Sequence, residues 1–183
     1  MIPRILYENI RDNLDKGKAI IIIGPRQVGK TTLVKQISSG LGRKSLFLNC
    51  DEIETKNALS THSLSNLRDI IGLNELVIID EAQRVKDIGL TLKLIIDNIP
   101  GIQLIVTGSS ALELSNSINE PLTGRKFEFY LYPISSCELR KVNGRFEETK
   151  NLQRRLVYGM YPDVINNPGN EKLILNNLSL IHI

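Results

Sequence analysis

The chain has no tryptophan, and aromatic residues make up only 5% of its 183 positions. That leaves few flat faces on which the bases of a single-stranded nucleic acid can stack. Cysteine and histidine are equally scarce: Cys50 and Cys137, His62 and His182. Neither pair has a metal-ligand spacing, so a zinc site is not expected, and two free thiols in a reducing compartment are. No apolar run approaches the roughly 20 residues that span a bilayer. The opening Met1-Ile2-Pro3-Arg4-Ile5-Leu6 lacks the apolar core of a secretory signal. A cytoplasmic location without a membrane partner is the default expectation. The net charge of +3 is too small to argue for nucleic acid by itself.

What remains is an ordinary globular composition, 42% hydrophobic and 23% charged. The length suits one domain, or one domain with the start of a second. Ile2, Ile5, Leu6, Ile10 and Leu14 recur at helical spacing until Gly17, which predicts an N-terminal helix over 1–17. Four apolar runs, 19–23, 45–49, 76–79 and 102–106, then alternate with helical patterns. One of those helices carries Leu33, Val34 and Ile37 and is expected to end at Gly40. Another runs from Val85 to Ile99 and stops at Pro100-Gly101. Continuous apolar strands between helices indicate a parallel sheet covered on both faces. In 126–132, Phe127, Phe129 and Leu131 alternate with Lys126, Glu128 and Tyr130, which suits an edge strand. The fold class is therefore α/β, three-layered, with a central, mostly parallel five-stranded sheet.

The first strand, Ala19-Ile20-Ile21-Ile22-Ile23, runs directly into Gly24-Pro25-Arg26-Gln27-Val28-Gly29-Lys30-Thr31-Thr32, and a helical pattern follows. This is a phosphate-binding P-loop in its proper context. Backbone N–H groups from Gln27 to Thr31 can form a nest for phosphate oxygens at a helix N-terminus. Gly24 and Gly29 are expected to supply backbone angles and close approach that a Cβ would obstruct. Lys30 can reach the β- and γ-phosphates, and the Thr31 hydroxyl is a hard ligand suited to Mg²⁺. The third strand ends in Asp80-Glu81, at the edge where open α/β sheets bind ligands. Asp80 can hold Mg²⁺ beside Thr31, and Glu81 can polarise an attacking water. After the fourth strand, Thr107 or Ser109 can contact that water or the γ-phosphate, or else cap a short helix at 111–114. The base-selective Asn-Lys-x-Asp element of GTPases is missing, and no acceptor site of a small-molecule kinase is evident. Water is the expected acceptor.

With Thr107-Gly108-Ser109-Ser110, Pro121-Leu122-Thr123-Gly124-Arg125, Leu131-Tyr132-Pro133-Ile134-Ser135 and Gly159-Met160-Tyr161-Pro162-Asp163, the ordered set resembles the prokaryotic AAA-type ATP-binding proteins. In that family an ATPase domain precedes a C-terminal domain of unknown function. The resemblance covers about residues 3–166. It implies an AAA+-like core over 18–134, ATP and Mg²⁺ as cofactors, and a fourth strand inserted between the first and the third. It implies that Arg26 and Gln27 belong to the family's form of the loop, within a nucleotide-binding set of Gly24, Pro25, Arg26, Gln27, Val28, Gly29, Lys30, Thr31 and Thr32. It also implies that Arg125 touches a γ-phosphate, in its own subunit or in a self-associated neighbour. Residues 135–183 then read as the helical start of a lid or C-terminal region, and a truncated frame is the expectation. Arg140-Lys141, Arg154-Arg155 and Arg125-Lys126 offer a weak basic face for DNA. Three readings stand: an ATPase with Glu81 as base, a slow nucleotide-gated or DNA-associated switch, and an ATP-binding fragment with little turnover.

Overall fold

A computed structural model of the chain describes residues 2–109, 118 and 120–179. The short helix expected at 111–114 and the last four positions lie outside the described residues. The chain divides into two compact units. The first holds the described residues of Leu6–Pro25 and Lys30–Leu131, and the second holds residues 2–5, Arg26–Gly29 and 132–179.

The first unit is built on five strands: β1 (Ala19–Ile23), β2 (Ser45–Asn49), β3 (Leu76–Asp80), β4 (Gln103–Gly108) and β5 (Lys126–Tyr130). Their order is β2-β3-β4-β1-β5, and every neighbouring pair is parallel. The expected sheet was mostly parallel; this one is wholly so. β4 lies between β1 and β3, as the resemblance implied. Parallel strands send all their C-terminal ends to one edge, so the segments after Ile23, Asp80 and Gly108 emerge together.

The three central strands are buried along their whole length. Ile21, Ile23, Val77, Ile79, Leu104 and Val106 pack with Leu67, Ile71, Leu92 and Ile95 of the covering helices. Each such side chain removed from water contributes about 1.5–3 kcal/mol. β5 is an edge strand, pairing only with β1, and charge protects it. Lys126 pairs with Glu128 at 2.5 Å, and the Lys18 ammonium sits 4.9 Å from the centroid of the Phe127 ring.

The helices of this unit are α1 (Ile5–Arg11), α2 (Lys30–Leu41), α3 (Ile53–Leu59), α4 (Leu64–Ile71) and α5 (Ile88–Asn98). α1 is shorter than its apolar spacing predicts. Beyond it the chain turns through Asp15 at φ 59°, held by long-range bonds that periodicity cannot register. Arg43 grips both Asp15 carboxylate oxygens at 2.6 and 2.7 Å, and Gln103 accepts the Asp15 N–H. α2 also departs from expectation, since it runs through Gly40 to Leu41. Gly42, at φ +61°, is the stop. Gly40 instead permits close approach: a Cβ there would stand 2.6 Å from the Tyr7 hydroxyl.

The second unit carries α6 (Ser136–Asn143), α7 (Arg145–Lys150), α8 (Leu152–Tyr158), α9 (Pro162–Asn166) and α10 (Glu171–Ser179). α6 opens with a capping box. Ser135 Oγ accepts from the Glu138 N–H at 3.2 Å, and Glu138 Oε2 accepts from the Ser135 N–H at 2.7 Å. Buried carboxylates join the later helices: Glu148 takes bonds from Asn143 and Arg155, and Glu171 pairs with Arg154.

Candidate nucleotide site

The phosphate loop starts while the chain is still tied to the sheet, since the Gly24 N–H donates to the Gly108 carbonyl at 3.2 Å. Left-handed angles within the loop fall on Gln27 (φ 60°) and Gly29 (φ 100°). Gly29 thus supplies the expected angle but not the expected close approach, and the second such angle belongs to Gln27 and not to Gly24. A Cβ at Gly29 would come no nearer than 3.7 Å to a neighbouring side chain, so the angle, not space, requires glycine. Val28 is fully buried and anchors the loop. Gln27 and Thr32 are exposed, and Pro25 and Arg26 are half-buried.

In the sheet unit the loop's far end meets the acidic pair. Lys30 is only 3% exposed, and an ammonium taken out of water requires acceptors. Its Nζ donates to the carbonyls of Gly24 (2.9 Å) and Pro25 (3.1 Å) and lies 3.6 Å from Glu81 Oε1. Thr31 Oγ1 donates to Asp80 Oδ2 at 2.7 Å. Thr107 Oγ1 donates to Asp80 Oδ1, so both oxygens of this buried carboxylate are engaged. The same Thr107 oxygen accepts the Glu81 N–H at 3.2 Å. Glu81 itself is left-handed (φ 55°, ψ 42°), an unusual conformation for a long side chain.

Gln83 had no assigned role, yet it completes the group. A 3₁₀ turn over Ala82–Arg84 folds it back, so that its Nε2 donates to Glu81 Oε2 (2.6 Å) and to Ser109 Oγ (2.7 Å). Its Oε1 accepts the Ser109 N–H at 3.3 Å. Ser109 is therefore linked to Glu81 through Gln83, and Thr107 to Asp80 directly.

Arg125 is not brought to this group. It lies just before β5, its carbonyl accepts the N–H of Ala19 at the start of β1, and its Nε donates to Asp97 at 2.7 Å. One strand length, about 16 Å, separates that edge of the sheet from the loop. Of the cations expected to form a basic face, Arg125, Lys126, Arg154 and Arg155 all hold carboxylates.

The residues fit Mg²⁺. Thr31 and Asp80 present two hard oxygens at one point, and Mg²⁺ ordinarily takes one or two carboxylates with phosphates and waters. Among the described residues no group of three His, Cys, Asp or Glu could cage a metal. Cys50, which follows β2, donates its N–H to the Asp80 carbonyl. Burial, with Asp80, Asp51 and Glu81 nearby, pushes its thiol up to about 12. Among the described residues, no helix is long and apolar enough to cross a membrane.

A parallel β2-β3-β4-β1-β5 sheet, with this loop after β1 and an acidic pair after β3, defines a P-loop ATPase domain. The family model described as AAA domain matches residues 16–140, and the chain belongs to that family. Among solved structures, the Walker-type ATPase of Pyrococcus abyssi shares the fold, with a TM-score of 0.64 and 16% identity over 100% of this chain and 72% of that one. An uncharacterised protein of Methanocaldococcus jannaschii is 30% identical over an alignment of 151 positions that covers 73% of this chain and 31% of that protein. One of Mycobacterium tuberculosis is 27% identical over 118 residues, 63% of this chain and 25% of its own length. The chain thus spans a third or less of these curated relatives.

Proposed function

We propose that this domain binds ATP with Mg²⁺ and hydrolyses the β–γ phosphoanhydride. The observation that carries this reading is the pair Asp80 and Glu81, set against Thr31 and Lys30 at the loop end. Lys30 exchanges its loop carbonyls for phosphate oxygens, and Thr31 and Asp80 hold the metal. Mg²⁺, when bound, neutralises charge on the β- and γ-phosphates. Glu81 accepts the proton of a water that attacks the γ-phosphorus, the bond to the bridging oxygen breaks, and ADP leaves with that electron pair. Such a base contributes about 10²–10⁴ in rate.

Titration with ATP and measurement of phosphate release test the reading. Lys30→Ala should abolish binding. Glu81→Gln should bind ATP and fail to turn it over; hydrolysis at the wild-type rate would remove Glu81 from its role.

One observation favours a slow, switch-like cycle. Both carboxylate oxygens of Glu81 are engaged, one near Lys30 and the other by Gln83, so the base is held before any substrate arrives. A steady-state rate well above one per second without a partner would argue against a switch, which has to dwell in each state.

A further inference from the structure

We propose that Arg4 is a positioning residue for the phosphate loop, and that through it the N-terminus of α6 sets the loop's phosphate-binding geometry. The inference rests on the nucleotide-binding reading above and extends it to a residue far from the loop in sequence.

All the relevant groups lie within the second unit. The guanidinium of Arg4 forks to three acceptors. Its Nη1 donates to the Val28 carbonyl inside the loop at 3.0 Å, its Nε to Glu138 Oε1 at 3.1 Å, and its Nη2 to the Tyr132 carbonyl. The Arg4 and Glu138 side chains are only 10% and 6% exposed, so water offers little competition for these bonds. Glu138 is in turn fixed from two sides, by the Ile5 N–H on Oε1 at 2.8 Å and by the α6 capping box on Oε2.

The bond to Val28 matters because of peptide geometry. The Val28–Gly29 peptide is trans, so the Val28 carbonyl and the Gly29 N–H point in opposite directions within one rigid plane. Holding the carbonyl toward Arg4 directs the Gly29 N–H away from it, free for an anion. Gly29 is also the loop position at φ +100°, where the backbone has the most freedom to lose. Arg4 therefore preorganises a nest donor, and it does so without touching nucleotide. Any displacement of the α6 N-terminus moves Glu138, then Arg4, then this peptide.

The nest serves phosphates common to ADP and ATP, so the two ligands should respond alike. Arg4→Ala should weaken ADP and ATP by the same factor, roughly tenfold or more for a lost charge-assisted bond that preorganised the site. The rate at saturating ATP should stay near the wild-type value. Arg4→Lys keeps a cation for Glu138 but cannot fork to three acceptors. It should melt near the wild-type temperature, still lose affinity for ADP, and shift the amide resonance of Gly29 in the ligand-free protein. Unchanged ADP affinity in folded Arg4→Lys would overturn the proposal, as would a fall in the saturated rate with affinity intact. Should the wild-type chain bind neither nucleotide, the ATPase reading fails by itself. The Gly29 amide then decides: a shift in Arg4→Lys upholds the positioning role, and an unmoved resonance overturns it.

Discussion

At the scale of single residues, environment separates side chains that composition treats alike. Cys50 is buried beside Asp80 and its thiol is held near 12, whereas Cys137 is exposed at the start of α6. Since only the thiolate reacts, iodoacetamide at pH 8 should label Cys137 in the native protein and leave Cys50 intact, as peptide mass spectrometry will show. Equal labelling of the two would mean that Cys50 is not buried as described. Gln83 presents a sharper case. Its amide bridges Glu81 and Ser109, so Gln83→Ala should leave ATP affinity unchanged and lower the hydrolysis rate roughly tenfold, the effect of one hydrogen bond to a charged group. A faster rate would show instead that the amide restrains the base.

At the scale of elements, glycine in α2 gives a signed prediction. Replacing an interior helical glycine by alanine ordinarily gains about 0.5–1 kcal/mol. At Gly40 the new Cβ would meet the Tyr7 hydroxyl at 2.6 Å, while the next ring carbon stands 3.8 Å away. That hydroxyl is the far end of a half-buried side chain and can swing aside, so Gly40→Ala should gain less stability in urea than usual, and the full gain should return when Tyr7→Phe removes the oxygen. Strand existence was readable at this scale because β1, β3 and β4 are apolar on both faces, whereas β5, with one neighbour, is partly exposed along its length. Helix ends were less readable. Gly40 and Gly42 look alike in one dimension, and only the approach of Tyr7 tells a packing glycine from a stop.

At the scale of the whole molecule, the second unit depends on buried carboxylates. Burial alone would raise the carboxyl of Glu138, but the N–H groups of Ser135 and Ile5, with Arg4, hold it below the ordinary glutamate value. Burial likewise opposes Glu148, and Arg155 and Asn143 bring it down. A carboxyl lowered on folding adds stability that is fully present above its unfolded value and is lost as pH falls through the folded one. Melting temperature followed by circular dichroism should accordingly drop as pH falls below about 4, and Glu138→Gln should make that drop shallower. An unchanged slope in the variant would mean that folding does not lower the Glu138 carboxyl.

The parallel α/β core, the phosphate loop and the pairing of Asp80 with Glu81 are legible along the chain. Each of these is written in contiguous residues whose geometry is local: strand, turn, helix start. Where those pieces meet depends on how the elements pack. The tertiary structure placed Arg125 against Asp97 because β5 begins at the edge opposite the loop, a consequence of strand register that no local spacing encodes. It put Gln83 between Glu81 and Ser109, and Arg4 on Val28, across 26 and 24 residues of chain. The Ser135-x-x-Glu138 capping box is a local motif, but the hold of the same carboxylate on Arg4 is not. Bonds between residues distant in sequence depend on how the elements pack, and a side chain's second partner leaves no trace in its neighbours.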